Sequence, residues 1–195
     1  MHTRRGFTLV ELMIVIVIVG VLLVLAGPSF YDFIRVQRFK SINAQLVNDL
    51  HFARSEAISR QRDVQVQFRT PADGAGMSCY TIYIDTSPDP TLKCDCAQPA
   101  GLRCPEASTQ EIRTVQIPLD LGVQLSLPPS QTRHFAFMRL QGALRTGPIV
   151  PANWLPDYII EASLDSARTL RNAVGRSGRP TTCSPGGGVS GATAC

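Results

Sequence analysis

The sequence predicts an α+β protein: a long N-terminal helix packed on an antiparallel β-sheet or sandwich. Three observations carry this reading. An almost uncharged apolar run opens the chain, a stripe of apolar residues at helical spacing follows it, and every later apolar segment is short and punctuated by Gly or Pro. Strands and helices do not alternate after the first third, which excludes a doubly wound parallel sheet. With 195 residues, 44% of them apolar and a formal charge of +4, the chain is neither disordered, collagen-like nor polytopic.

The apolar run is Phe7–Gly27, FTLVELMIVIVIVGVLLVLAG, and Glu11 is its single charge. As a helix it spans about 31 Å, one bilayer core. His2, Arg4 and Arg5 precede it and no Lys or Arg recurs before Arg35, so the positive-inside rule places the N-terminus in the cytoplasm. The rest is then expected on the periplasmic side of an inner membrane crossed once. A cleaved secretory signal is the rival reading, with Thr3-Arg4-Arg5-Gly6-Phe7 as a twin-arginine start and Val24-Leu25-Ala26 as a cleavage site. Glu11 opposes it, because an ionisable group in a membrane segment is costly and asks for a partner.

After Pro28 the residues Phe39, Ile42, Leu46, Leu50, Ala53 and Ala57 form one stripe, so the helix should run to about Arg60. Ala53 and Ala57 are small enough for a sheet to approach closely. The charges Arg35, Arg38, Lys40, Asp49, Arg54, Glu56 and Arg60 mostly lie off the stripe and read as a solvated face. Strands are expected at Val64–Phe68, Tyr80–Ile84, Thr114–Ile117, Val123–Leu127, Phe135–Leu140, Tyr158–Ala162 and Thr169–Val174. The chain then divides into a basic start at 1–6, an apolar membrane helix at 7–28, an amphipathic helix at 29–62 and a β domain at 63–179. Residues 85–112 read as a loop insertion, and 180–195 as a flexible Gly/Ser/Pro tail.

Six Cys, at 79, 94, 96, 104, 183 and 195, lie on the oxidising side and favour disulfides. Local closure suggests Cys183–Cys195, with Cys79, Cys94, Cys96 and Cys104 forming two bridges whose pairing stays open. A zinc site from Cys94, Cys96 and Cys104 has unsuitable ligand spacing. No metal site and no cofactor are expected. Nor is an enzyme: the three His are scattered, and no nucleophile-elbow, zinc-protease or phosphate-loop motif occurs. Gly186-x-Gly188-x-x-Gly191 matches a dinucleotide pattern without the strand and helix it requires.

Gly6-Phe7-Thr8-Leu9-Val10-Glu11 resembles the processing site of type IV prepilins. The resemblance implies the type IV pilin fold, cleavage by a prepilin peptidase between Gly6 and Phe7, and N-methylation of Phe7. It also implies that the Glu11 carboxylate pairs with the Phe7 amine of a neighbouring pilin, two charges that stabilise one another in hydrocarbon only when they meet. Gly20 and Pro28 match the places where such helices loosen in the filament. Phe52-Ala53-Arg54-Ser55-Glu56-Ala57-Ile58 followed by Val64-Gln65-Val66, and Phe135-Ala136-Phe137 followed by Gly142 and Gly147-Pro148, resemble the GspH/FimT group of minor pilins and pseudopilins. A pilus subunit near the filament tip, or a pseudopilin of type II secretion, is the implied role.

From Arg168 the chain carries Arg168, Arg171, Arg176 and Arg179 and no acid. Gly175-Arg176-Ser177-Gly178-Arg179 resembles the G-R-x-R segment of FimT-type minor pilins, some of which bind DNA for uptake, but a Gly intrudes and displaces the second Arg. Arg176, Arg179 and Arg171 are therefore the DNA-binding candidates, able to neutralise phosphates without reading sequence. A solvated basic loop or a subunit contact is the bland alternative. With Arg4 and Arg5 removed, the side-chain balance falls to +2, and the last segment alone holds +4.

Overall fold

The computed structural model describes residues 8–86, 94–146 and 157–195, the side chains of 25–29 excepted. Helix α1 covers Leu9–Arg60. The chain divides into two units, Met1–Arg38 and Phe39–Cys195.

In the first unit the described side chains of α1 are exposed, Leu9, Ile16 and Leu23 among them, except Arg35 and Val36, which are half-buried. Among the described residues no helix is long and apolar enough to cross a membrane; the expected span at 7–28 begins outside them and ends among residues whose side chains are not described. The helix starts for a local reason. Thr8 is its N-cap, its Oγ1 accepting the Glu11 N–H at 3.2 Å and its carbonyl accepting the Leu12 N–H at 3.2 Å. Thr8-x-x-Glu11 is thus the sequence of a capping box, and Glu11 sits in the first turn, where the helix dipole favours a carboxylate.

The second unit carries its own core. Phe39, Leu46, Leu50, Ala53 and Ala57 of α1 are fully buried. Ile42 is only half-buried, and Asn43 takes its place on the stripe. The following strands are β1 (Val64–Arg69), β2 (Met77–Asp85), β3 (Thr109–Pro118), β4 (Gln124–Ser126), β5 (His134–Phe137), β6 (Leu144–Arg145), β7 (Tyr158–Ser163), β8 (Thr169–Val174) and β9 (Pro180–Cys183). They form a five-stranded sheet, β3-β2-β1-β5-β6, and a four-stranded sheet, β4-β7-β8-β9. All pairings between these strands are antiparallel. The fold is therefore the expected α+β arrangement of a long N-terminal helix with antiparallel sheets.

An aromatic cluster joins the two sheets: Tyr158 of β7 lies 4.5 Å from Phe135 and 6.1 Å from Phe68, ring centre to ring centre. Ser78 of β2 accepts the Leu125 N–H of β4 at 2.8 Å, a second tie. β2 is buried on both faces along almost its whole length. Tyr80, Ile82 and Ile84 occupy one face, and Cys79, Thr81 and Tyr83 the other. Cys79 bridges to Cys96 and Cys94 to Cys104, so the segment after β2 is stapled beside that strand.

Three expectations are corrected. The insertion at 85–112 is shorter at both ends, since Asp85 closes β2 and residues 109–112 open β3; residues 87–93 lie outside the described ones. The strand expected at Phe135–Leu140 stops at Phe137, because Met138–Gly142 form a turn closed by the Gly142 N–H on the Met138 carbonyl. The tail at 180–195 is structured. β9 pairs with β8, Val189 is 3% exposed, the Ser184 N–H meets the Thr193 carbonyl at 2.7 Å, and Cys183 bridges to Cys195. Apolar periodicity does not reveal this order, because the buried apolar content is only Pro180 and Val189 and the order comes from backbone pairing and a disulfide. In the Gly-rich stretch, a Cβ on Gly188 would lie 2.2 Å from the Ala167 carbonyl oxygen; this glycine permits a backbone approach and does not cradle phosphate.

Candidate functional site

The candidate site residues fall in two places. At the N-terminal end, Gly6 and Phe7 lie outside the described residues, as does the side chain of Pro28. Glu11 is exposed, and Gly20 has open space where a side chain would stand. Glu11 thus stands exposed in the first turn of α1, three residues after the Thr8 cap.

The second place lies where the last turns of α1 meet two loop turns. Arg54 is half-buried there. Its Nε donates to the Gly142 carbonyl at 3.2 Å and its Nη2 to the Gln141 carbonyl at 3.4 Å. Gly142 has φ +61°, and a Cβ on it would fall 2.7 Å from Arg54 Cγ. The β8–β9 hairpin, Gly175–Arg179, then seats on this turn. The Leu144 N–H donates to the Arg176 carbonyl at 3.0 Å, and the hairpin closes through the Gly178 N–H on the Gly175 carbonyl at 2.8 Å. Gly178 is buried at φ +73°, and a Cβ there would stand 1.8 Å from the Gly142 oxygen. Only glycine fits. The intruding Gly of the Arg segment is thus a packing requirement.

This seating leaves Arg176, Ser177 and Arg179 exposed at the hairpin tip. Arg171 is elsewhere on β8 and bonded to Glu161 of β7 at 2.9 Å, its directly paired neighbour. It is held in an ion pair between β7 and β8, apart from the hairpin tip. Arg145 pairs with Asp63 at 3.1 Å, and Asp63 also accepts the Arg139 N–H at 3.0 Å.

Two polar residues of α1 have partners that the sequence pattern does not announce. Asp49, expected on the solvated face, is 2% exposed. It accepts the Tyr80 hydroxyl at 2.7 Å and pairs with Arg113, whose guanidinium lies over the Phe52 ring at 4.6 Å. Burial and the bond to Asp49 push the Tyr80 hydroxyl far above its ordinary range. Asn43 exchanges two hydrogen bonds with Asn172 of β8, and Thr182 of β9 donates to the same Asn172 at 2.7 Å. A signal exists for both: positions 43 and 49 stand at helical spacing from Leu46, on the stripe itself. His134 is half-buried, and burial together with Arg145 holds its pKa below 6.5.

All six cysteines are in disulfides, so Cys94, Cys96 and Cys104 offer no thiolate to zinc. Among the described residues no His, Cys, Asp and Glu cluster could hold a metal ion.

A long helix with an acid in its first turn, followed by antiparallel sheets, is the architecture the pilin resemblance implies. Residues 1–27 match the prokaryotic N-terminal methylation motif. Residues 43–153 match the type II transport protein GspH family, and the chain belongs to that family. It is thereby a minor pilin or pseudopilin of the type IV class. A stretch of 46 residues is 41% identical to the type IV major alpha-pilin of Moraxella bovis, and one of 50 residues is 44% identical to Fimbrial protein Q of the same organism. These stretches cover 24% and 26% of this chain and 29% of either relative. Two crystal structures of the type IV minor pilin FimU of Pseudomonas aeruginosa are similar, at 16% and 17% identity and a TM-score of 0.47 in each. They match 73% and 74% of this chain and 90% and 87% of that one.

Proposed function

We propose that this chain is a structural subunit of a type IV pilus, a minor pilin held in the inner membrane by its apolar helix until it joins the filament, near the tip. It is not an enzyme in this reading. A prepilin peptidase cuts between Gly6 and Phe7 and Phe7 is methylated; residues 1–6 are the leader and residues 7–28 the assembly helix. The Glu11 carboxylate then meets the Phe7 amine of a neighbouring pilin, and van der Waals packing among helices supplies the remaining attraction. The observation that carries the reading is the combination, in one chain, of the methylation motif over residues 1–27 with the GspH family match over residues 43–153. Mass analysis of the N-terminus tests it: a chain beginning at methylated Phe7 is expected, and one beginning at Gly27 returns the segment to an ordinary secretory signal.

The same features suit a minor pseudopilin of a type II secretion system, and the neighbouring genes separate the two. A second reading is favoured by a specific observation: Arg176 and Arg179 stand exposed together at one hairpin tip in an acid-free stretch. We propose on that ground that the hairpin binds the phosphate backbone of DNA during uptake. If so, Arg176→Ala/Arg179→Ala weakens duplex binding and flattens its salt dependence by about 0.9 for each phosphate no longer neutralised. An unchanged affinity removes this reading.

A further inference from the structure

We infer that Arg54 is the positioning residue of the cationic hairpin. By holding the Gln141 and Gly142 carbonyls it fixes the turn on which Gly178 rests, and so the direction in which Arg176 and Arg179 are presented to a phosphate backbone. The inference rests on the second reading above for the ligand, and on geometry alone for the positioning.

The path from Arg54 to the hairpin is short and has little slack. Arg54 is anchored by α1, whose neighbouring Ala53 and Ala57 are fully buried against the sheets. Its guanidinium is the donor to two consecutive carbonyls of the Met138–Gly142 turn. That turn is the β5–β6 connection; besides its own backbone bonds it is tied at Arg139, whose N–H donates to Asp63, and Arg54 holds its other end at Gln141 and Gly142. Gly142 leaves room for the Arg54 stem, since a Cβ would meet Cγ at 2.7 Å. Its carbonyl oxygen is then the surface against which Gly178 lies with no room for a side chain, and Leu144 just beyond it binds the Arg176 carbonyl at 3.0 Å. Displacing the Gly142 carbonyl therefore displaces Gly178, and the two arginines of the hairpin tip lie one residue to one side of it and two to the other. Two donors on one guanidinium, the Nε bond part-buried and the Nη2 bond exposed, are suited to this. A charged donor to a neutral carbonyl is among the stronger hydrogen bonds, and planar guanidinium geometry fixes direction better than an ammonium would. Arg54 gives its Nε and Nη2 to backbone carbonyls and is a positioning group in this inference, with the phosphates left to the hairpin.

The test uses the full chain in detergent micelles and a short fluorescein-labelled DNA duplex, with amide hydrogen exchange read at Leu144 and Gly178. Arg54→Ala should speed exchange at both amides by about tenfold, the scale of one or two missing hydrogen bonds. It should weaken duplex binding about as much while leaving the salt slope at its wild-type value, because every phosphate-neutralising group is still present. Arg54→Gln keeps a donor but no charge, and should restore both slow exchange and affinity. Arg176→Ala/Arg179→Ala should lower the salt slope and leave exchange at Leu144 and Gly178 unchanged. Unchanged exchange in Arg54→Ala overturns the positioning. A lowered salt slope in both Arg54→Ala and Arg54→Gln, with exchange unaltered, would make Arg54 bind phosphate directly and overturn it equally. If the wild-type affinity ignores Arg176 and Arg179, the DNA reading fails and the presentation role with it, while the exchange data still decide what Arg54 holds.

Discussion

The two ends of helix α1 teach different lessons. Among the described side chains between Leu9 and Ile34 the large apolar ones are exposed, whereas Phe39, Leu46, Leu50, Ala53 and Ala57 are completely buried. Among the described residues nothing in the first unit removes those side chains from water, and in the function proposed above lipid and then neighbouring helices do so. The second unit, by contrast, closes its core with its own sheets, three disulfides and buried polar ties at Asp49 and Asn43. One half of the helix is addressed to other molecules and the other half to its own chain.

Substitutions should respect that division. The largest effect on folding is expected from Leu46→Ala, a fully buried position, at about 2–5 kcal/mol of lost stability by thermal or denaturant unfolding. Val15→Ala, on an exposed position of the first unit, should leave the same unfolding transition unmoved. Equal losses in the two variants would break the contrast. Next comes Gly178→Ala, at about 2–3 kcal/mol, from a positive φ and an oxygen 1.8 Å from the new Cβ. A neutral result there would mean that the two turns do not touch. Asp49→Ala should cost slightly less, about 2 kcal/mol, by leaving the buried Tyr80 hydroxyl without its acceptor and Arg113 without its partner; it sharpens the case that α1 is tied to β2 and β3 by polar as well as apolar groups.

The smallest effect is a pH dependence. His134 has its pKa lowered in the folded state by burial and by Arg145. The unfolded chain therefore takes up a proton first, and this residue's part of the stability is present above its ordinary value of 6.5 and declines as pH falls below it. His134→Gln should shallow the loss of stability between about pH 7 and 5. A slope identical to wild type would mean that other groups account for all of it.

How much is legible follows from where the ordering forces lie. The end of the helix, its stripe and every strand except β6 and β9 are written as apolar periodicity, which residues 39–174 supply in quantity. The two-residue β6 and the β9 edge carry almost no apolar signal, and both are held by backbone pairing to neighbouring strands. Arg54 and Asp49 read as solvent-facing because charge alone suggests solvent, yet each has partners contributed by strands or turns that are distant in sequence. Thr8 is a local signal of another kind: Thr-x-x-Glu ahead of an apolar run announces a helix start. It also gives Glu11 a favourable place in its own helix, so its local environment and its proposed pairing with a neighbour act in the same direction.

The central claim, that the first unit is completed by other subunits through Glu11, is tested most directly by the amount of this chain recovered in sheared filaments for Glu11→Ala beside wild type, at equal membrane levels. Loss of roughly tenfold or more, the scale of an unmatched charge in hydrocarbon, is the predicted result. Wild-type incorporation of Glu11→Ala would contradict it.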